Sequence, residues 1–209
     1  MMRGPRPIRR GLALAELIIG MAITALIGLA VATTLVSVGQ GLTYSREARS
    51  ALQRAYTAHT RVRAYFDPGL CVLEEQGKTG FALWLHDGRA NGAVNLSELR
   101  VFWYDFDEGV LTVEWVEFPE DWDAELIALT DVELLDGADY FQEMLTQRAL
   151  GRTSTARLVD GLADVRLEYD AVSVEDAQRL RFTMSVTLNE EEAHDVLLAL
   201  ALPNHRTPT

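Results

Sequence analysis

The sequence predicts an α+β protein: a long amino-terminal helix, membrane-spanning in its first half, packed on an antiparallel β-sheet. Three observations predict it. A charge-free apolar stretch lies near the start of the 209-residue chain. A helical apolar stripe follows it without a break and stops at Asp67-Pro68-Gly69. Beyond Pro68 the apolar residues recur every second position, the period of a strand with one face buried.

The apolar stretch comes first. No charged residue occurs between Leu17 and Ser45, and the most hydrophobic part runs from Leu17 to Val38. A helix needs roughly 20 apolar residues to cross a hydrocarbon core of about 30 Å. A secretory signal peptide has an apolar region of only about 7–15 residues, so this run is too long for one. Ahead of it, Arg3, Arg6, Arg9 and Arg10 form a basic leader with no acid.

From Tyr44 to Phe66 the chain turns polar while keeping a helical period. Ala48, Leu52, Ala55, His59, Val62 and Phe66 define one apolar face, and arginines occupy the other. Leu12 to Phe66 therefore reads as one nearly continuous helix, with His59 as a packed core residue. In the outer region, Phe81–Leu85, Leu99–Tyr104, Val110–Val116, Val165–Tyr169, Leu180–Leu188 and Asp195–Leu202 read as strands. Asp105-Phe106-Asp107-Glu108-Gly109 joins two of them as a hairpin loop, and Asp139–Leu150 reads as a short helix ending at Gly151.

Composition excludes several functions. The chain carries 19 basic and 31 acidic residues, a net charge of −12; without the four leader arginines the charge is −16. A surface that acidic repels phosphodiester backbones, so no nucleic-acid partner is expected. The single cysteine, Cys71, can form neither an internal disulfide nor a Cys-x-x-Cys site. The chain holds no Gly-x-Ser-x-Gly, His-Glu-x-x-His, Walker or Gly-x-Gly-x-x-Gly motif, and its four histidines are scattered. No catalytic residue, cofactor or metal is assigned. The acidic runs Asp105, Asp107, Glu108 and Glu120, Asp121, Asp123 read as solvated turns. Asn95-Leu96-Ser97 is a glycosylation sequon by pattern alone.

Glu16 is the residue that a plain anchor does not explain. It sits after Leu12, Ala13, Leu14 and Ala15 and immediately before the long apolar run. An acid in a membrane segment costs several kcal/mol unless it is paired or lies at the interface. The order of basic leader, Gly11, four apolar residues, Glu16 and long apolar helix resembles the precursor signal of type IV pilins and type II secretion pseudopilins. That resemblance implies a leader of residues 1–11, cleavage between Gly11 and Leu12 by a prepilin peptidase, N-methylation of Leu12, and a filament-core helix over residues 12–43. It also implies a periplasmic pilin-like domain over 44–209, anchored by a single pass in a bacterial inner membrane with the leader cytoplasmic. Glu16 then falls at the family's acidic fifth mature position, where it sets register between subunits. The chain differs from the usual pattern at Leu12 (commonly Phe), at Ala13 and Ala15, and at Thr33, where many pilins have proline; these differences weigh against a major pilin and matter less for a minor subunit. The layout of the strand pairs is similar to a J-type minor pseudopilin, whose partners are other minor pseudopilins at the tip of a pseudopilus that drives protein export. A minor type IV pilin for adhesion, motility or DNA uptake, and a single-span anchored periplasmic binding domain, are the alternatives. Under the pilin reading, mass spectrometry of the membrane-fraction protein finds a terminus at Leu12 carrying one extra methyl. A terminus at Met1 contradicts it.

Overall fold

The computed structural model describes residues 10–135, 137–189 and 192–208. It is α+β, with a long apolar amino-terminal helix and antiparallel sheets. The chain divides between Arg49 and Ser50 into two compact units. Helix α1 runs Arg10–Phe66. Its part in the first unit includes Leu14–Thr43, 30 residues that are long and apolar enough to span a membrane, and none of that window is buried by protein. Without neighbours, apolar residues exposed all round a helix are stable only in lipid or against other helices.

The second unit begins with the carboxy-terminal part of α1 and continues through β1 (Cys71–Glu75), β2 (Gly80–Trp84), β3 (Val94–Asn95), a 3₁₀ turn at Leu96–Glu98, β4 (Leu99–Asp105) and β5 (Val110–Val116). Helix α2 (Ala124–Thr130), β6 (Glu133–Leu134), α3 (Tyr140–Ala149), β7 (Thr153–Asp160), β8 (Leu162–Tyr169), β9 (Arg179–Asn189) and β10 (Glu192–Ala201) complete it. The expected single sheet is instead three antiparallel sheets: β1-β2-β4-β5-β7, β10-β9-β8 and the two-residue pair β3-β6. The division falls at Gly161, between β7 and β8. Its φ of +78° suits glycine, and a Cβ there would press on the Thr187 carbonyl at 3.0 Å. A β-bulge on each side, at Leu111/Thr112 and Leu162/Asp164, adds twist, so the chain leaves one sheet and starts the next.

Alternation places the core on both faces of the larger sheet. Phe81 and Leu83 of β2 face Ala58, Val62 and Phe66 of α1 together with Phe182, Met184 and Leu198 of the three-stranded sheet. Ala82 and Trp84 face Phe141 and Met144 of α3 and Leu134 of β6. Each side chain of β2 is buried, which explains its unbroken apolar run. Phe81 stacks on Phe102 at 4.3 Å between ring centres, and Phe66 meets Phe81 at 5.6 Å. The expected helical stripe is corrected at one end. Leu52 is 73% exposed, while burial begins at Ala58 and continues at Val62 and Phe66 in four-residue steps. Leu52 lies before the first turn that the sheets cover.

The helix stops where the sequence indicates, with Asp67 N–H bonded to the Arg63 carbonyl ahead of Pro68. The hairpin loop also forms as read: Asp105 accepts from Glu108 N–H at 2.8 Å, and Gly109 sits at φ +64°. Helix α3 is capped by the Asp139 carboxylate, which accepts from Gln142 N–H at 2.8 Å. The Phe66→Ala substitution should cost about 3–5 kcal/mol, because it empties a fully covered site. Tyr56→Ala, at a position 72% exposed, should change stability by no more than about 0.5 kcal/mol. Chemical unfolding of the detergent-solubilised chain, followed by near-UV circular dichroism, measures both.

Candidate functional site

Glu16 lies on α1 inside the apolar window. Its neighbours Leu14, Leu17, Ile18 and Ile19 are all exposed. Among the described residues Glu16 has no hydrogen bond and no ion pair. Among the described residues, then, nothing neutralises this carboxylate on an apolar helix. Of the other expected site residues, Arg10, Gly11 and Leu12 fall in the first turn of α1, and their side chains lie outside the described residues. Arg3, Arg6 and Arg9 lie outside the described residues altogether. Downstream, Thr24, Thr34 and Thr43 each donate a hydroxyl to the carbonyl four residues back, so these hydroxyls are satisfied within the helix.

The second unit treats its carboxylates differently, and three buried ones escaped sequence reasoning. Glu98 is 1% exposed. It accepts from Trp84 Nε1 at 3.0 Å, from the N–H groups of Gly88 and Arg89 at 2.6 and 3.2 Å, and from Asn95 N–H at 3.2 Å. It braces the loop from Asp87 to Asn95 by gathering neutral donors. Asp131 accepts from the Ser97 N–H and hydroxyl, both at 2.8 Å, and pairs with Arg89 at 3.0 Å. That contact ties the 3₁₀ turn to the segment after α2. Asn95, the first residue of the sequon, is 1% exposed and held within this network, so the folded chain offers no glycan acceptor there.

Glu114, also 1% exposed, lies on β5 beneath α3. Arg148 grips it through Nε at 2.8 Å and a terminal nitrogen at 2.5 Å, and Trp103 Nε1 donates at 2.8 Å. The same guanidinium lies over the Trp103 ring at 4.9 Å. Burial pushes the Glu114 carboxyl up. Hydrogen bonds from Arg148, Thr153 and Trp103, with the Arg148 charge, outweigh burial and hold it below the usual carboxylate range. Cys71 is buried without a partner thiol, and burial, helped by the charge of Glu175, pushes it up to about 12. It is an inert core group rather than a nucleophile.

Among the described residues no group of three or more His, Cys, Asp or Glu side chains is arranged to hold a metal ion. In the acidic run after Phe118, Asp123 is engaged as the cap of α2, accepting from Leu126 N–H at 2.7 Å. Trp122 stacks on Phe118 and under Arg152, and Trp115 packs at the edge of the main core. Searches against protein-family models, curated proteins and solved structures each find no match for this chain.

The Glu114 site carries a pH dependence. Because its pKa is lower folded than unfolded, the group's stabilisation is present above its unfolded value near 4.5 and disappears as pH falls through the lower, folded value. Glu114→Gln should cost about 2–3 kcal/mol at pH 7. It should also flatten the loss of stability on acidification below pH 4.5, read as melting temperature against pH.

Proposed function

We propose that the chain is a minor pseudopilin of a type II secretion system: a membrane-anchored structural subunit at the tip of a short periplasmic filament that drives protein export. The single observation carrying this reading is Glu16, a carboxylate without a partner among the described residues on an exposed apolar helix. A chain that served only as a tether would gain nothing from it. A subunit whose helix packs beside others gains a register pin. Cleavage after Gly11 frees a positive α-amino group on Leu12, and Glu16 of one subunit meets that group on its neighbour. Two opposite charges attract far more strongly in a low-dielectric core than in water. Leaving one unpaired costs about 3–5 kcal/mol, so misregistered packing is penalised.

The rest of the chain supports the same reading. Leu14–Thr43 is long and apolar enough to cross the inner membrane before extraction into a filament. The second unit has a core of its own. Prepilin peptidase, the inner membrane and sister minor pseudopilins are the partners this role requires.

Glu16→Leu is the test. Under this proposal the variant inserts in the membrane and is processed at Gly11–Leu12. It then fails to co-purify with sister subunits or to support export, with a loss of at least about 100-fold for a penalty near 3 kcal/mol. Co-purification at the wild-type level would return the chain to the status of a tethered domain.

A further inference from the structure

Charge is unevenly divided along the chain. Residues 44–66 hold five arginines and one glutamate, whereas residues 67–209 hold 10 basic and 29 acidic residues. Within the second unit, the basic stretch of α1 borders a concave surface. A cleft of about 210 Å³ is lined by Ser50, Gln53, Arg54, Thr57 and Arg61 of α1 and by the end of β7 at Asp160. At about 30 Å³ per water it has room for roughly seven, enough for one tetrahedral oxyanion and part of its substituent. Steps of three and four place these helix residues on one face.

The donors in this cleft are only partly used. Arg61 gives one terminal nitrogen to the carbonyls of Arg157 and Leu158, at 3.2 and 3.3 Å, and meets no carboxylate. Asp160, the one acid in the lining, pairs at 3.2 Å with Arg157, which also lies 3.8 Å from Glu108. Arg54 has no ion pair or hydrogen bond among the described residues, and its Nε is buried without a partner. A buried N–H left unmade costs roughly 1–3 kcal/mol, and such groups in folded proteins are nearly always filled. A pair of guanidiniums with a hydroxyl and an amide beside them matches the oxygens of a phosphate better than any cation or apolar ligand.

We infer that the Arg54–Arg61 cleft binds a phosphate group. Arg54 Nε–H and its terminal nitrogens hold the oxyanion, and Arg61, fixed by two backbone carbonyls, supplies the second charge. Ser50 and Gln53 close the rim. A membrane-lipid headgroup and free phosphate share this chemistry. The candidate span ends at Thr43, seven residues before Ser50 in the sequence, so a lipid headgroup is tested beside free phosphate. The inference stands without the filament reading and shares no residue with Glu16.

The test uses the full chain in maltoside micelles and follows the arginine side-chain ¹H–¹⁵N resonances. The Arg54 Nε–H signal is assigned by its loss in Arg54→Gln. Inorganic phosphate, titrated at constant ionic strength against chloride, should move that signal saturably. Doping the micelles with phosphatidylglycerol should move it at a lower added concentration if a lipid is the source. A response to inorganic phosphate alone assigns the site to a soluble anion. Arg166→Gln, at an exposed position away from the cleft, should leave the response intact. No saturable movement with either addition, or the same movement with chloride, overturns the inference. Because the wild-type titration decides the matter, a variant that misfolds does not protect the idea.

Discussion

A carboxylate on a helix that is otherwise apolar is the constraint on which the first unit's role depends. Translocon-based costs for an acid at mid-membrane are about 2.5–3.5 kcal/mol, and nothing within the described residues offsets Glu16. Neither helix propensity nor lipid solubility favours glutamate there. Under the filament proposal the compensating charge comes from outside the chain, as an amino terminus freed by proteolysis. The helix of the first unit is therefore incomplete as an isolated object in a way the second unit is not.

The second unit shows what a completed carboxylate looks like. Glu98 is satisfied by neutral N–H donors, Asp131 by a hydroxyl, an amide and a half-exposed guanidinium, and Glu114 by a bidentate arginine and an indole. Each ties together segments that hydrophobic contact alone would leave free to slide. Glu114 joins β5 to α3, and Asp131 joins the 3₁₀ turn to a residue 34 positions away. Their role is positional, since a buried ion pair adds little net stability over an apolar replacement. Arg54 stands between these cases: its Nε is buried, with no acceptor among the described residues.

Elements with a strong local signal were legible in the sequence. The β4–β5 hairpin announces itself by alternation and an Asp-to-Gly loop, α3 by its Asp139 cap, and the end of α1 by Asp67-Pro68-Gly69. Elements made by distant neighbours were not. Cys71–Glu75 does not alternate, and Thr153–Asp160 is polar for most of its length because it closes one edge of a sheet. Helix α2 buries no side chain and so has no periodic stripe, although Asp123 caps it. The two-residue strands β3 and β6 exist only through each other. Glu98 looks like an ordinary surface acid until Trp84 and the loop from Gly88 fold over it. Glu16 was legible for the opposite reason: its meaning lies in its place along an apolar run, which no tertiary contact alters.

The split at Gly161 has a consequence for how this molecule avoids sticking to itself. Dividing the strands into two sheets leaves β8 and β10 as terminal strands of the smaller one. Such borders are templates on which a stray chain can polymerise as cross-β. Asp164, Arg166 and Glu168 on β8 and Asp195 on β10 set charged side chains along both borders, with a bulge beside Asp164. Charge placed on the terminal strands thus disfavours edge-to-edge pairing.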